Sequence, residues 1–272
     1  MTQEPRGRAA CGFGRLKCCA TKVALVFVMT VFPLSAVAQQ PRELIVSAAA
    51  SLTNAFRHVG KTFEAKQKGV RVNLNFAASG DLLRQIEGGA PVDVFASAAP
   101  REMDQLEAKG LIVPGTRRDF VENGLVLIRP VVSSAKIVSF DDLKKGEIKK
   151  IAVGNPATVP AGMYAQQVLT YFKVWDDVKG KLVFGESVRQ VLDYVVRGEV
   201  EAGLVFSTDA SARSKEVLVA VRSPAESHSP IVYPIAVVKD TKNGDLAKAF
   251  VQFVVSPEGQ KILKAYGFKS SR

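Results

Sequence analysis

The 272-residue chain is poor in the side chains on which most enzyme chemistry runs. Its three cysteines, Cys11, Cys18 and Cys19, all fall within the first 38 residues. Removal of that segment leaves no thiol, which excludes a disulfide framework, a Cys-ligated metal and a Cys nucleophile in the remainder. The only histidines are His58 and His228, and two isolated imidazoles make no metal-ligand cluster. The patterns G-x-x-x-x-G-K-[ST], G-x-G-x-x-G and G-x-S-x-G are absent, which argues against a P-loop, a dinucleotide fingerprint and a nucleophile elbow. No apolar run is long enough to read as a convincing membrane span. There is also no Lys/Arg block of the kind that nucleic-acid binders carry.

What is present begins with an apparent export signal. Arg6, Arg8, Arg15, Lys17 and Lys22 form a basic stretch, Val23 to Val31 an apolar core, and Ala36-Val37-Ala38 an A-x-A cleavage motif. The expected product of cleavage starts at Gln39. Residues 1–38 carry five bases and one acid, Glu4, so the formal charge falls from +11 to +7 on their removal. The 47% hydrophobic content suits a globular chain with a sizeable core.

From residue 43 onward short β-branched runs alternate with helical periodicities. Leu44-Ile45-Val46 reads as a strand, and Leu52, Ala55, Phe56, Val59 and Phe63 recur at helical spacing after it. Ser51 stands where a helix N-cap is expected. Val70, Val72, Leu74 and Phe76 alternate as in a strand, before Ser79 and a helix. The spacing predicts further strands at 92–96, 125–128, 151–153, 182–184, 204–206, 218–221 and 231–238 and a loop at 111–119. It predicts helices at 101–109, after Ala161, after Ser187 and at 245–255 and 257–265. One helix face is expected to carry Tyr164, Val168, Tyr171 and Phe172. Such alternation argues for an α/β fold with mostly parallel sheets.

Five places repeat one plan of strand, small or polar turn, and helix start: near Ser51, Ser79, Ala161, Ser187-Val188 and Ser207. Ligands of open α/β sheets sit beyond the carboxyl ends of the strands. Helix N-termini converging there present unpaired N–H groups and partial positive charge, and so suit an anion without any Lys or Arg. Ser51 and Ser79 are also candidate nucleophiles of a periplasmic serine hydrolase, for which the two histidines are poorly placed in sequence. Asp81, two residues after Ser79, reads as a first-turn acid that favours the helix dipole.

The ordered set of segments resembles the periplasmic molybdate-binding proteins of ABC importers. The resemblance runs through Ala48-Ala49-Ala50-Ser51-Leu52-Thr53-Asn54-Ala55, Phe76-Ala77-Ala78-Ser79 and Gly89-Ala90-Pro91-Val92-Asp93-Val94-Phe95. It continues through Val153-Gly154-Asn155-Pro156, Val159-Pro160-Ala161-Gly162-Met163-Tyr164-Ala165, Gly203 to Ala210, Tyr233 to Val238 and Ala265-Tyr266-Gly267-Phe268. It implies a class II periplasmic-binding-protein fold of two lobes, each a mostly parallel sheet flanked by helices, with the ligand cleft between them. The expected division is a leader at 1–38, one lobe from 39–121 with 236–272, and a second at 122–235. Hinge strands are expected near Val121–Asn123 and Tyr233–Ile235.

The resemblance further implies that the Ser51 and Ser79 hydroxyls and the Ala161 and Val188 N–H groups hold a tetrahedral oxyanion, molybdate or tungstate. The family's Tyr hydroxyl falls at Phe206, where this chain lacks the donor. The implied protein is a non-catalytic periplasmic monomer that needs no cofactor, binds no nucleic acid or metal cation, and delivers its anion to a membrane ABC permease. Sulfate or phosphate is the alternative ligand.

Overall fold

The computed structural model describes residues 41–271 and, apart from them, Gly14. The leader, its cleavage motif and the three cysteines lie outside the described residues. The chain opens with β1 (Arg42–Ala49), α1 (Thr53–Lys66), β2 (Val70–Ala77), α2 (Ser79–Glu87), β3 (Val94–Ala96), α3 (Pro100–Ala108) and β4 (Arg118–Glu122). It continues through β5 (Leu125–Pro130), β6 (Ile151–Gly154), α4 (Pro160–Tyr171), α5 (Trp175–Val178), β7 (Leu182–Gly185), α6 (Val188–Val196), β8 (Ala202–Phe206), α7 (Ser207–Ala212) and β9 (Val217–Arg222). It closes with β10 (Val232–Val237), α8 (Gly244–Val255), α9 (Pro257–Ala265) and β11 (Lys269–Ser270).

These strands make two mixed sheets, ordered β11-β4-β10-β3-β1-β2 and β7-β6-β8-β5-β9. Each holds a parallel trio: β2, β1 and β3 in the first, β7, β6 and β8 in the second. The other strands pair antiparallel. Helices return the chain between parallel neighbours, as parallel pairing requires. The chain passes from the first sheet to the second at Asn123-Gly124 and returns between β9 and β10. There the Asn123 N–H donates to the Ile231 carbonyl at 3.1 Å. All of β10 pairs within the first sheet.

The helical periodicity of α1 works as expected: Leu52, Ala55, Phe56, Val59 and Phe63 are all buried. Phe56 meets Phe120 and Phe250 at centroid distances of 5.8 and 6.2 Å, and Phe63 meets Phe250 at 5.2 Å. The C-terminal α8 is thereby pinned to the first helix. Full burial of one such ring contributes about 1.5–3 kcal/mol.

Four expectations need correction. The sheets are mixed and not mostly parallel, since five of the nine strand pairings among the described residues are antiparallel. The loop expected at 111–119 already contains the start of β4, whose only apolar residues are Phe120 and Val121. That strand exists because β10 and β11 flank it, a long-range pairing with almost no local signal. Tyr171 is 52% exposed and leaves the apolar face of α4 to Tyr164, Val168 and Leu169. Ser51 is no N-cap: Ala50–Leu52 forms a 3-10 turn, and α1 starts at Thr53 after Leu52 without a side-chain cap. The Ser51 side chain points elsewhere, to Tyr233.

Candidate oxyanion site

All five residues implicated by the sequence, Ser51, Ser79, Ala161, Val188 and Phe206, line one small cavity. Each sits just past, or at, the carboxyl end of a strand: β1, β2, β6, β7 and β8 respectively. The rest of the wall is alanine, valine and proline. No charged side chain belongs to it. Asp81 is bonded to Arg84 on the outside of α2 and lies off the cavity wall.

On the side of the first sheet the polar groups are side chains. Ser79 opens α2 and is wholly buried. Its Oγ accepts the Ala98 N–H at 3.0 Å, which leaves its own hydrogen for another acceptor. Ser51, 3% exposed, lies 3.0 Å from the Tyr233 hydroxyl. Tyr233 is buried between Phe120, Phe206 and Phe268. Burial holds its phenol pKa well above the usual value, and the nearby Asp209 carboxylate pushes the same way.

On the side of the second sheet the polar groups are backbone. Pro160 and Ala161 are the first two residues of α4, and Val188 is the first of α6. N–H groups in a helix's first turn have no acceptor within the helix. The turn before α4 is shaped by Asn155, whose Oδ1 accepts the Ala157 N–H at 3.1 Å and whose carbonyl accepts the Val159 N–H at 2.8 Å. Gly162 lets α4 start against the end of β6: a Cβ there would stand 2.0 Å from the Gly154 carbonyl oxygen. Ser187 caps α6 as the sequence predicts, its hydroxyl accepting the Gln190 N–H at 3.2 Å. Phe206 is 1% exposed and presents an apolar ring edge-on to Tyr164 and Tyr233.

The two sides touch directly. The Gly80 N–H donates to the Thr158 carbonyl at 3.0 Å, and a Cβ on Gly80 would come within 2.7 Å of that oxygen. The Arg101 guanidinium donates to the Pro156 and Ala157 carbonyls, both at 3.2 Å. Glu102, 1% exposed, steadies that guanidinium at 2.6 and 2.9 Å.

Under the second sheet's edge Asp209 is fully buried and paired with Arg189 at 2.7 Å. Loss of water pushes the Asp209 pKa up to about 6, with Arg189 opposing the rise.

Neither serine has a histidine beside it. His58 is exposed and packs edge-on to Tyr266, and the His228 ring meets the Ser229 carbonyl and Tyr164. Among the described residues no three His, Cys, Asp or Glu side chains gather as cation ligands. Sequence reasoning missed Tyr233, Asn123 and Arg101 as parts of this region. Only the motif around Tyr233 and the expected hinge position of Asn123 pointed toward it.

The sequence profile of a family described as bacterial extracellular solute-binding protein matches residues 44–269. The putative ABC transporter substrate-binding lipoprotein YvgL of Bacillus subtilis (strain 168) is 41% identical over 225 residues, 83% of this chain and 85% of that protein. The molybdate-binding protein ModA of Haemophilus influenzae is 41% identical over 234 residues, 84% of this chain and 90% of that protein. Among solved structures, the periplasmic molybdate-binding protein of Azotobacter vinelandii superposes with a TM-score of 0.74 at 27% identity, over 84% of this chain and 100% of that one.

Proposed function

The chain belongs to the bacterial extracellular solute-binding protein family, and we propose that it captures a tetrahedral oxyanion, molybdate or tungstate, for delivery to a membrane ABC importer. The observation that carries the reading is the small buried cavity where two serine hydroxyls and the N-termini of α4 and α6 meet without a charged side chain. A fully deprotonated dianion needs only donors. Phosphate near neutral pH still carries a hydrogen and needs an acceptor, and no carboxylate lines the cavity to supply a strong one.

In this reading the two sheets are the cores of two lobes, one spanning 39–123 with 232–272 and the other 124–231; the boundary expected at 235/236 moves because all of β10 pairs within the first sheet. The crossings near Asn123 and between β9 and β10 act as hinges. The anion stabilises the closed arrangement, in which Gly80 and Arg101 bond the loop before α4. The protein works as an exported monomer, cleaved before Gln39, without a cofactor and without catalysis. A thermal-shift and calorimetry panel of molybdate, tungstate, sulfate, phosphate and chromate tests it. Stabilisation by molybdate and tungstate with no response to phosphate is expected. Phosphate bound as tightly as molybdate, or turnover of ester substrates dependent on Ser51 or Ser79, would overturn it.

A further inference from the structure

We propose that Asn123 and Tyr233 form a one-way hydrogen-bond relay that commits the Ser51 hydrogen to the bound anion, making Tyr233 a positioning and specificity-determining residue. The inference rests on the oxyanion reading of the cavity and deepens it.

The direction of the relay follows from donor counting. The Gly124 N–H can only donate, and it meets Asn123 Oδ1 at 2.9 Å. That contact identifies the oxygen of the Asn123 amide, since a flipped amide would set two donors against each other. Asn123 Nδ2 therefore faces the other two partners, Thr208 Oγ1 at 2.9 Å and the Tyr233 hydroxyl at 3.1 Å. It has two hydrogens and uses one on each. The Tyr233 oxygen thus accepts from Asn123, and its own hydrogen needs a different acceptor.

Tyr233 is fully buried, and the Ser51 Oγ at 3.0 Å is the acceptor its hydroxyl reaches. A buried hydroxyl hydrogen left without an acceptor would cost the desolvation of that group. Tyr233 consequently donates to Ser51. Ser51 Oγ, already accepting, turns its own hydrogen away from Tyr233, which frees it for an anion in the cavity it lines.

The same logic already holds at Ser79, whose oxygen accepts the Ala98 N–H. Both hydroxyls are then held as donors, by a backbone group in one case and by a side-chain relay in the other. Asn123 lies where the chain crosses from the first sheet to the second, and Thr208 belongs to α7 beyond that crossing. A tyrosine hydroxyl is retained near the site, but it acts through Ser51 rather than on the anion.

The test is a double-mutant cycle read by calorimetry with molybdate and with inorganic phosphate at neutral pH. Tyr233→Phe keeps the ring and removes the donor, and should weaken molybdate binding about 2- to 12-fold, the range of one neutral hydrogen bond. It should also narrow the preference for molybdate over phosphate, because the Ser51 hydroxyl, no longer oriented by Tyr233, can rotate to accept a phosphate hydrogen. In the Ser51→Ala background the same change should have no further effect on either ligand, since the relay then ends on nothing. Additive losses in the double variant, or an unaltered molybdate-to-phosphate ratio in Tyr233→Phe, would overturn the relay.

Full-strength molybdate binding by Ser51→Ala alone would remove the oxyanion reading of this cavity and the relay with it. Neutron diffraction of the unsubstituted chain supplies a check that needs no variant. Deuterium on Tyr233 Oη must point at Ser51 Oγ, and deuterium on Ser51 pointing back at Tyr233 refutes the proposal.

Discussion

The two sides of the cavity reach the same end by different chemistry. The first sheet contributes side-chain hydroxyls, Ser51 and Ser79, whose oxygens are occupied from behind by Tyr233 and by the Ala98 N–H. The second contributes backbone N–H groups at Ala161 and Val188, aimed by where α4 and α6 begin. A side chain is lost by one substitution. A backbone donor survives almost any substitution that keeps its helix in place. The first side should therefore be chemically fragile and the second fragile only to changes of shape.

The largest expected effect tests that contrast directly. Ser51→Ala and Ser79→Ala each remove a hydrogen bond to a charged group, worth roughly 1.5–3 kcal/mol, so each should weaken molybdate binding by about 10- to 150-fold. Val188→Ala, which keeps the N–H, should change affinity by less than about threefold. Calorimetry on the three variants compares the sides, and equal losses on both would erase the distinction.

A smaller effect is expected where the sides meet. Gly80→Ala places a Cβ 2.7 Å from the Thr158 carbonyl oxygen. The loop carrying Thr158 must then retreat, at a cost of about 1–2 kcal/mol of overpacking. Affinity should fall by about 5- to 30-fold, while under the proposed two-lobe arrangement the melting temperature of the anion-free protein stays nearly level, because the contact then joins two lobes rather than the interior of one. A large drop in the anion-free melting temperature would instead make Gly80 a residue of the folding core.

Phe206→Tyr would give the second side a side-chain donor. The nearby Thr208 hydroxyl does not supply the missing donor, because it is bonded to Asn123 and does not line the cavity. The added hydroxyl should therefore tighten molybdate binding by about tenfold, the low end for a charge-assisted bond. Unchanged or weaker binding would mean that the ring at 206 cannot turn its edge to the anion.

An effect on stability is expected from Asp209, in α7 beyond the end of β8. Its folded pKa of about 6 lies above the model-peptide value of 3.8. The folded state then holds the proton more tightly than the unfolded chain. The contribution of Asp209 is most favourable below about pH 4 and is lost as pH rises through about 6. Denaturant titrations of the parent and of Asp209→Asn between pH 4 and 7 should differ by that slope, with the parent losing ground as pH rises. The opposite sign would show that Arg189 outweighs the cost of burial.

Much of this architecture was legible in the residues. Helix periodicity marked the buried face of α1, and the small residues after each strand marked where the cavity would be. Strand β4 was not legible from its own residues, which have little strand character and are held by β10 and β11; only the resemblance placed a hinge strand near Val121–Asn123. Ser51 was misread as a cap because the Ser-to-helix spacing is the same whether its oxygen serves the helix or a distant hydroxyl.

The sequence by itself determined the α/β alternation, the position of each strand-to-helix junction and the scarcity of charge around them, since propensity, periodicity and turn chemistry act over a few neighbouring residues. Only the tertiary structure decided which way the hydroxyls face. Ser51 and Tyr233 are 182 positions apart, and Asn123 and Tyr233 are 110. The direction of their hydrogen bonds is set by one backbone N–H, that of Gly124, which becomes their neighbour only when the sheets assemble. A hydrogen bond's direction depends on what else each partner already binds, and no local pattern in the chain records that.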